Sequence, residues 1–301
     1  MAVEIDVGSG ASRRPLGRGR RNHAMNSIDA HSHIWTPDTQ AYPLAPGYRR
    51  AQMDPPSFTV EELQKEMQAV GVNRVVLIQM SFYGHDNSYM TDTIAKHPGM
   101  FSGVAVIEQD VGNPAPEMRR LKKLGVRGFR IYPKDFPVEK WLSSGTMHAM
   151  WTVAREERLN MCCLMDPNGL PALDRMCRVY PETPVVIDHM CRIGVTGRID
   201  PAEVKALCDM ARHKQVTVKV SAFYALGAKK APYKDLAPMI KQLLDAFGPE
   251  RLMWASDAPF QVVGGHTYRD SIELIKSGLE FLTASDKEWL LSRTAERVFF
   301  S

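Results

Sequence analysis

A (β/α)8 barrel is the fold this sequence predicts, and three observations predict it. Eight apolar, β-rich runs are spread along the chain, helix-forming segments separate most of them, and several runs end on polar residues that barrel closure would gather in one place. The 301 residues, 44% hydrophobic and 24% charged, describe a globular chain big enough for one large domain or two small ones. An open doubly wound sheet is the rival, but it would normally hold its first and eighth strands far apart.

In chain order, residues 1–25 stand outside the fold. They are rich in Gly, Ser and Arg with no apolar periodicity, and so are read as a disordered basic tail ahead of a barrel over 26–301. They lack the apolar core of a secretory signal and carry acids that a transit peptide would avoid; Met25 directly precedes the first strand, which fits an over-long start as well as a functional tail. Arg13, Arg14, Arg18, Arg20 and Arg21 against Glu4 and Asp6 account for most of the formal charge of +4. The barrel is therefore nearly neutral, and neither a nucleic-acid footprint nor such a partner is expected.

The strand runs end near His33, Gln79, Val106, Ile131, Leu164, His189, Ser221 and Asp257. Helices are expected over 59–70, 114–124, 146–158, 171–180, 201–213 and 236–247. Asp200 before Pro201 marks a start, Gly248 a stop, and Ser285 with Glu288 is read as a capping box for the last helix. No run reaches the roughly 18 apolar residues of a membrane span, so a soluble protein without a membrane partner is expected. Five cysteines without C-x-x-C spacing fit a reducing compartment, hence a cytoplasmic location, and a homo-oligomer stays open. Cys177 and Cys208 lie on apolar helical stripes, while Cys162 and Cys163 face opposite sides of one strand.

Ile28-Asp29-Ala30-His31-Ser32-His33 carries the chemistry. Side chains two apart on a strand share a face, so His31 and His33 can grip one centre. Closure sets Asp257 beside them, and His189 on strand 6 completes the cluster at the C-terminal mouth, where barrel active sites sit. Three nitrogens and one oxygen make a tetrahedral zinc set; the same four groups can also act without metal. Arg130, inward by parity with Gly128 and Tyr132, implies an anionic ligand, and Arg49, Arg192 and Lys134 on neighbouring loops add positive potential or stay solvated. Lys219 and Ser221 are inward on strand 7, with Lys219 able to neutralise Asp29. Gln79 and Ser81 either hold a substrate oxygen or cap a strand end. The proline-rich connection 34–58 is expected to wall the pocket, with Tyr48 bonding a substrate carboxylate or packing on Trp35, and His266 and Tyr268 are placed to close over a ligand.

Asp29-Ala30-His31-Ser32-His33-Ile34-Trp35, Val185-Val186-Ile187-Asp188-His189 and Trp254-Ala255-Ser256-Asp257-Ala258-Pro259 resemble the amidohydrolase superfamily, most closely its amidohydrolase-2 branch of lactonases and metal-dependent decarboxylases. The resemblance spans about Ile28 to Phe299. It implies that Asp257 is the general base for an attacking water, with the carbonyl polarised by His31, His33 and His189 directly or through a metal. A carboxylate with an ordinary pKa of roughly 4 is ionised at neutral pH and suits that role. Metal-binding members usually add a histidine or modified lysine near the end of strand 5 or 4; strand 5 here reads Met161-Cys162-Cys163-Leu164-Met165, with Cys162 either a thiolate substitute or a small buried residue. The combined reading is a hydrolase that opens a carboxylated lactone. A metal-dependent decarboxylase of an unsaturated acid and a non-catalytic anion-binding barrel are the alternatives.

Overall fold

Eight short strands pair in parallel in chain order: Ser27–Ser32 (β1), Val72–Ile78 (β2), Phe101–Ala105 (β3), Val126–Ile131 (β4), Asn160–Cys163 (β5), Val185–Ile187 (β6), Val216–Val220 (β7) and Leu252–Trp254 (β8). The computed structural model describes residues 26–110, 112–132 and 137–301, so the expected tail and Lys134 lie outside the described residues. The seam between β1 and β8 is closed just beyond the end of β8, where Asp257 N–H donates to the His31 carbonyl at 2.8 Å and His33 N–H donates to the Ala258 carbonyl at 2.8 Å. The barrel, rather than the open sheet, is thus the architecture.

Helices pack outside the strands: Val60–Gln68 (α1), Ser88–Lys96 (α2), Ala115–Lys123 (α3), Gly145–Glu157 (α4), Leu170–Val179 (α5), Pro201–Asp209 (α6), Ala237–Phe247 (α7), Tyr268–Glu273 (α8), Ala284–Glu288 (α9) and Thr294–Phe299 (α10). Local signals set several starts. Thr59 accepts from Glu62 N–H while the Glu62 carboxylate accepts from Thr59 N–H, and Asp200 accepts from Ala202 N–H ahead of Pro201. α6 stops at Asp209 and tightens into a 3-10 turn, Met210–Arg212, short of the expected end. The last capping box is Thr283 with Asp286, two residues before the expected Ser285 and Glu288. Two helices escape the sequence pattern. In α2, Thr91 and Thr93 send their hydroxyls back to the Ser88 and Tyr89 carbonyls, the behaviour that makes such residues poor local helix markers. α8 lies where the sequence suggests a closing loop.

Two apolar layers follow from strand parity. Val76, Ile78, Val104, Cys162, Val186 and Met253 fill the barrel, with Phe299 of α10 packed against them, while Val75, Leu77, Phe129, Ile131 and Cys163 join the layer shared with the helices. Cys162 is therefore an interior packing residue. Burial pushes its thiol up to about 12, so it offers no thiolate at neutral pH. β1 breaks register between Asp29 and Ser32, a local irregularity that passes the inward face from Ile28 and Ala30 to His31 and His33. No helix among the described residues is long and apolar enough to cross a membrane.

Candidate active site

The C-terminal ends of the strands open into a cleft of about 1020 Å3, with His33, Arg130, His189, Tyr224 and Asp257 among its lining residues. Its floor is built on strained backbone. After β6 the chain makes a left-handed turn through His189, Met190, Cys191 and Arg192, with φ of 52°, 49°, 56° and 56°; Ala222 after β7 and Asp257 after β8 are left-handed too. Each such residue costs of order 1–2 kcal/mol, and such strain concentrates where side chains must be aimed. Here it marks three consecutive strand exits, two of which present His189 and Asp257 to the cleft.

Four sequence-selected residues converge. His31 Nε2 lies 3.4 Å and His33 Nε2 3.3 Å from Asp257 Oδ1; His189 Nε2 lies 3.8 Å from Asp257 Oδ2. The Nε2 atoms of His31 and His33 are 3.3 Å apart, and the His31 and His189 rings sit 4.4 Å centre to centre. His31 is fully buried beneath the others and does not itself line the cleft. Burial lowers the His31 and His189 imidazoles, His189 to about 4, so both are neutral near pH 7. Burial alone would raise the Asp257 carboxyl, but the surrounding imidazoles outweigh it and hold it below the ordinary carboxylate range.

Tyr224 was not singled out by the sequence, because a lone tyrosine in a 3-10 turn, Phe223–Ala225, carries no pattern. Its hydroxyl donates to Asp257 Oδ2 at 2.7 Å, and burial beside that carboxylate raises the phenol, keeping it an O–H donor. Asp257 Oδ1 is buried with no hydrogen-bond partner of its own, the state of an acceptor aimed at something that binds. Tyr224→Phe removes a bond to the charged form, so the acidic limb of kcat/KM moves to higher pH, by up to about one pH unit. A pH–rate profile checks this, and an unmoved limb excludes the tuning role.

The remaining selected residues separate. Arg130 is buried, lines the cleft and pairs through Nε with Asp188 Oδ2 at 3.3 Å. Arg192, partly exposed, lines the cleft and pairs with Asp166 at 3.1 Å; Tyr48 lines it from the 34–58 wall and meets Phe82, not Trp35, edge to face. Ser81 lines it as well. Gln79 reaches the cleft, but its amide donates to the Gly84 and Asp86 carbonyls at 3.2 and 2.7 Å, so its N–H groups hold the loop after β2 rather than a substrate oxygen. His266 lies back from the cleft, its Nδ1 2.8 Å from the Tyr233 hydroxyl. Tyr268 is buried with its hydroxyl on Asp29. Lys219 does not neutralise Asp29: Asp29 is taken up by Ser256, Tyr268 and His31 N–H, and the Lys219 ammonium instead meets Asp188 Oδ1 at 3.0 Å. Together Lys219 and Arg130 outweigh burial and hold the Asp188 carboxyl well below its usual range.

One ligand atom each from His31, His33 and Asp257 lies within 4.8 Å of the others, an N,N,O group suited in type and spacing to zinc; His189 stands outside that set. A family model described as amidohydrolase matches residues 28–300. The chain belongs to this amidohydrolase family. It is 27% identical over 242 residues to a 4-sulfomuconolactone hydrolase from Hydrogenophaga intermedia, covering 77% of this chain and 74% of that protein. It is 26% identical over 264 residues to a 2-pyrone-4,6-dicarboxylate hydrolase from Comamonas testosteroni, covering 82% and 81%. Among solved structures, a probable 2-pyrone-4,6-dicarboxylic acid hydrolase from Acinetobacter baumannii with citric acid bound superposes with a TM-score of 0.78 at 24% identity, covering 92% of this chain and all of that one, which shows the shared fold.

Proposed function

We propose that this amidohydrolase opens a carboxylated lactone, with Asp257 as the base for the attacking water. The observation that carries the reading is the Asp257 carboxylate: buried in the cleft floor, oriented by Tyr224 through Oδ2 and free of hydrogen bonds at Oδ1. A water at Oδ1 would lose its proton to the carboxylate as its oxygen bonds to the lactone carbonyl carbon. The same proton then passes from Asp257 to the ring oxygen as the acyl C–O bond breaks, leaving a hydroxy acid. His189 is placed to donate through Nε2 to the carbonyl oxygen as it gains charge, while His33, whose Nδ1–H is held by the Ile78 carbonyl, and His31 support it from beneath. A divalent ion held by His31, His33 and Asp257, when bound, would supply Lewis-acid polarisation of that carbonyl.

Substrate charge is the second part of the proposal. Arg130 and Arg192 bring cations to the wall, and Tyr48 brings a hydroxyl-bearing ring, a set suited to a carboxylate. Relatives named for lactones that bear sulfonate or carboxylate groups support the same class. Proton release measured over a panel of lactones tests both parts. Carboxylated members should show kcat/KM at least about tenfold above their uncharged counterparts, a difference of about 1.4 kcal/mol. Preference for uncharged rings removes the anion reading, and no turnover of any lactone removes the hydrolase reading.

A further inference from the structure

Beneath the cleft, hydrogen bonds join four groups in a line whose proton positions are fixed at both ends. Lys219 Nζ lies 3.1 Å from His31 Nδ1, His31 Nε2 lies 3.3 Å from His33 Nε2, and His33 Nδ1 lies 3.0 Å from the Ile78 carbonyl oxygen. At one end an ammonium, ion-paired to Asp188, has hydrogens to give and no lone pair. At the other a carbonyl can only accept. His31 Nδ1 must therefore be a bare acceptor and its proton must sit on Nε2, which faces His33 Nε2 at 3.3 Å and Asp257 Oδ1 at 3.4 Å, while His33 carries its proton on Nδ1 toward the Ile78 carbonyl.

We propose that Lys219 sets the tautomer of His31 and so holds the His-x-His pair in a form that disfavours a divalent metal. A metal held by this pair needs lone pairs on both Nε2 atoms, and in the arrangement Lys219 imposes only the Nε2 of His33 has one. Freeing His31 Nε2 requires its proton to move to Nδ1. The natural acceptor there is Asp188 Oδ1, 3.5 Å away, which would complete the carboxylate–histidine pairing that supports metal-ligating imidazoles elsewhere. Lys219 stands in the way, since its ammonium holds both the Nδ1 lone pair and Asp188 Oδ1. Lys219 is itself fully buried, with its Nζ 5.3 Å from the Phe299 ring centre, so its charge is confined to this spot. Lys219 is thus a positioning residue that acts through His31.

The test uses the full chain stripped of metal and needs no substrate. Zinc affinity is measured by competition with a chromophoric chelator for the parent and for Lys219→Met, where Arg130 still faces Asp188. Lys219→Met should bind one zinc about tenfold or more tighter than the parent, and adding His31→Asn to it should abolish the gain. Equal affinities overturn the proposal, as does a gain that survives His31→Asn. Nitrogen-15 spectra of the parent's histidine rings decide the point even if the variant fails to fold: the proposal requires a proton on His31 Nε2, and a proton on Nδ1 overturns it.

Discussion

Asp257→Asn should leave a folded barrel whose lactone turnover has fallen by about 10²–10⁴-fold, the usual contribution of a positioned base. The substitution keeps the shape of the side chain and can keep the Tyr224 contact, but an amide cannot take a proton from water. The loss should appear in kcat and kcat/KM together, because the missing interaction forms only as the water is deprotonated. Binding of a competing dicarboxylate, followed by calorimetry, should persist, since Arg130 and Arg192 are untouched. Retention of more than about a tenth of the parent rate would remove Asp257 from the base role and return attention to the imidazoles.

Asp29→Ala should be the most destabilising of the substitutions considered. One carboxylate accepts from His31 N–H at 3.0 Å, Ser256 N–H at 2.8 Å, the Ser256 hydroxyl at 2.5 Å and the Tyr268 hydroxyl at 2.6 Å, all buried. It thereby joins β1 to the exit of β8 and to α8. Alanine would leave several buried donors without acceptors, each costing about 1–3 kcal/mol before relaxation or entry of water, so a total near 3 kcal/mol or more is expected. Chemical denaturation measures this directly, and Tyr268→Phe should lose only about 1 kcal/mol by removing one donor. Equal losses in the two variants would show that Asp29 is not the hub.

The sequence makes the strand ends legible because apolar runs stopping at His33, His189 and Asp257 obey a simple period, and barrel topology brings them together. Inward parity also identifies Arg130 and Lys219. Their partners are another matter. Asp29 shares β1 with the histidines, but the register break and the exit of β8 give it Ser256 and Tyr268, leaving Lys219 to Asp188. Tyr224, the left-handed turn through His189–Arg192 and the withdrawal of His266 to Tyr233 depend on loop conformations set by distant contacts. Gln79 shows the same limit in reverse: its position is predicted, but its N–H groups are spent on carbonyls that only the folded loop supplies.

Closure between β1 and β8 has a consequence for the order in which competence arises. Ser32 and Ala258 meet across a sequence separation of 226 residues, and the same seam carries His31, His33 and Asp257. A contact between the two ends of so long a chain carries a large loop-closure cost, which ordering of the intervening strands and helices lowers. While it is still being translated, the polypeptide can have histidines, arginines and most of its walls in place yet possess no base to activate water. Such a nascent chain is chemically silent until its eighth strand emerges and docks.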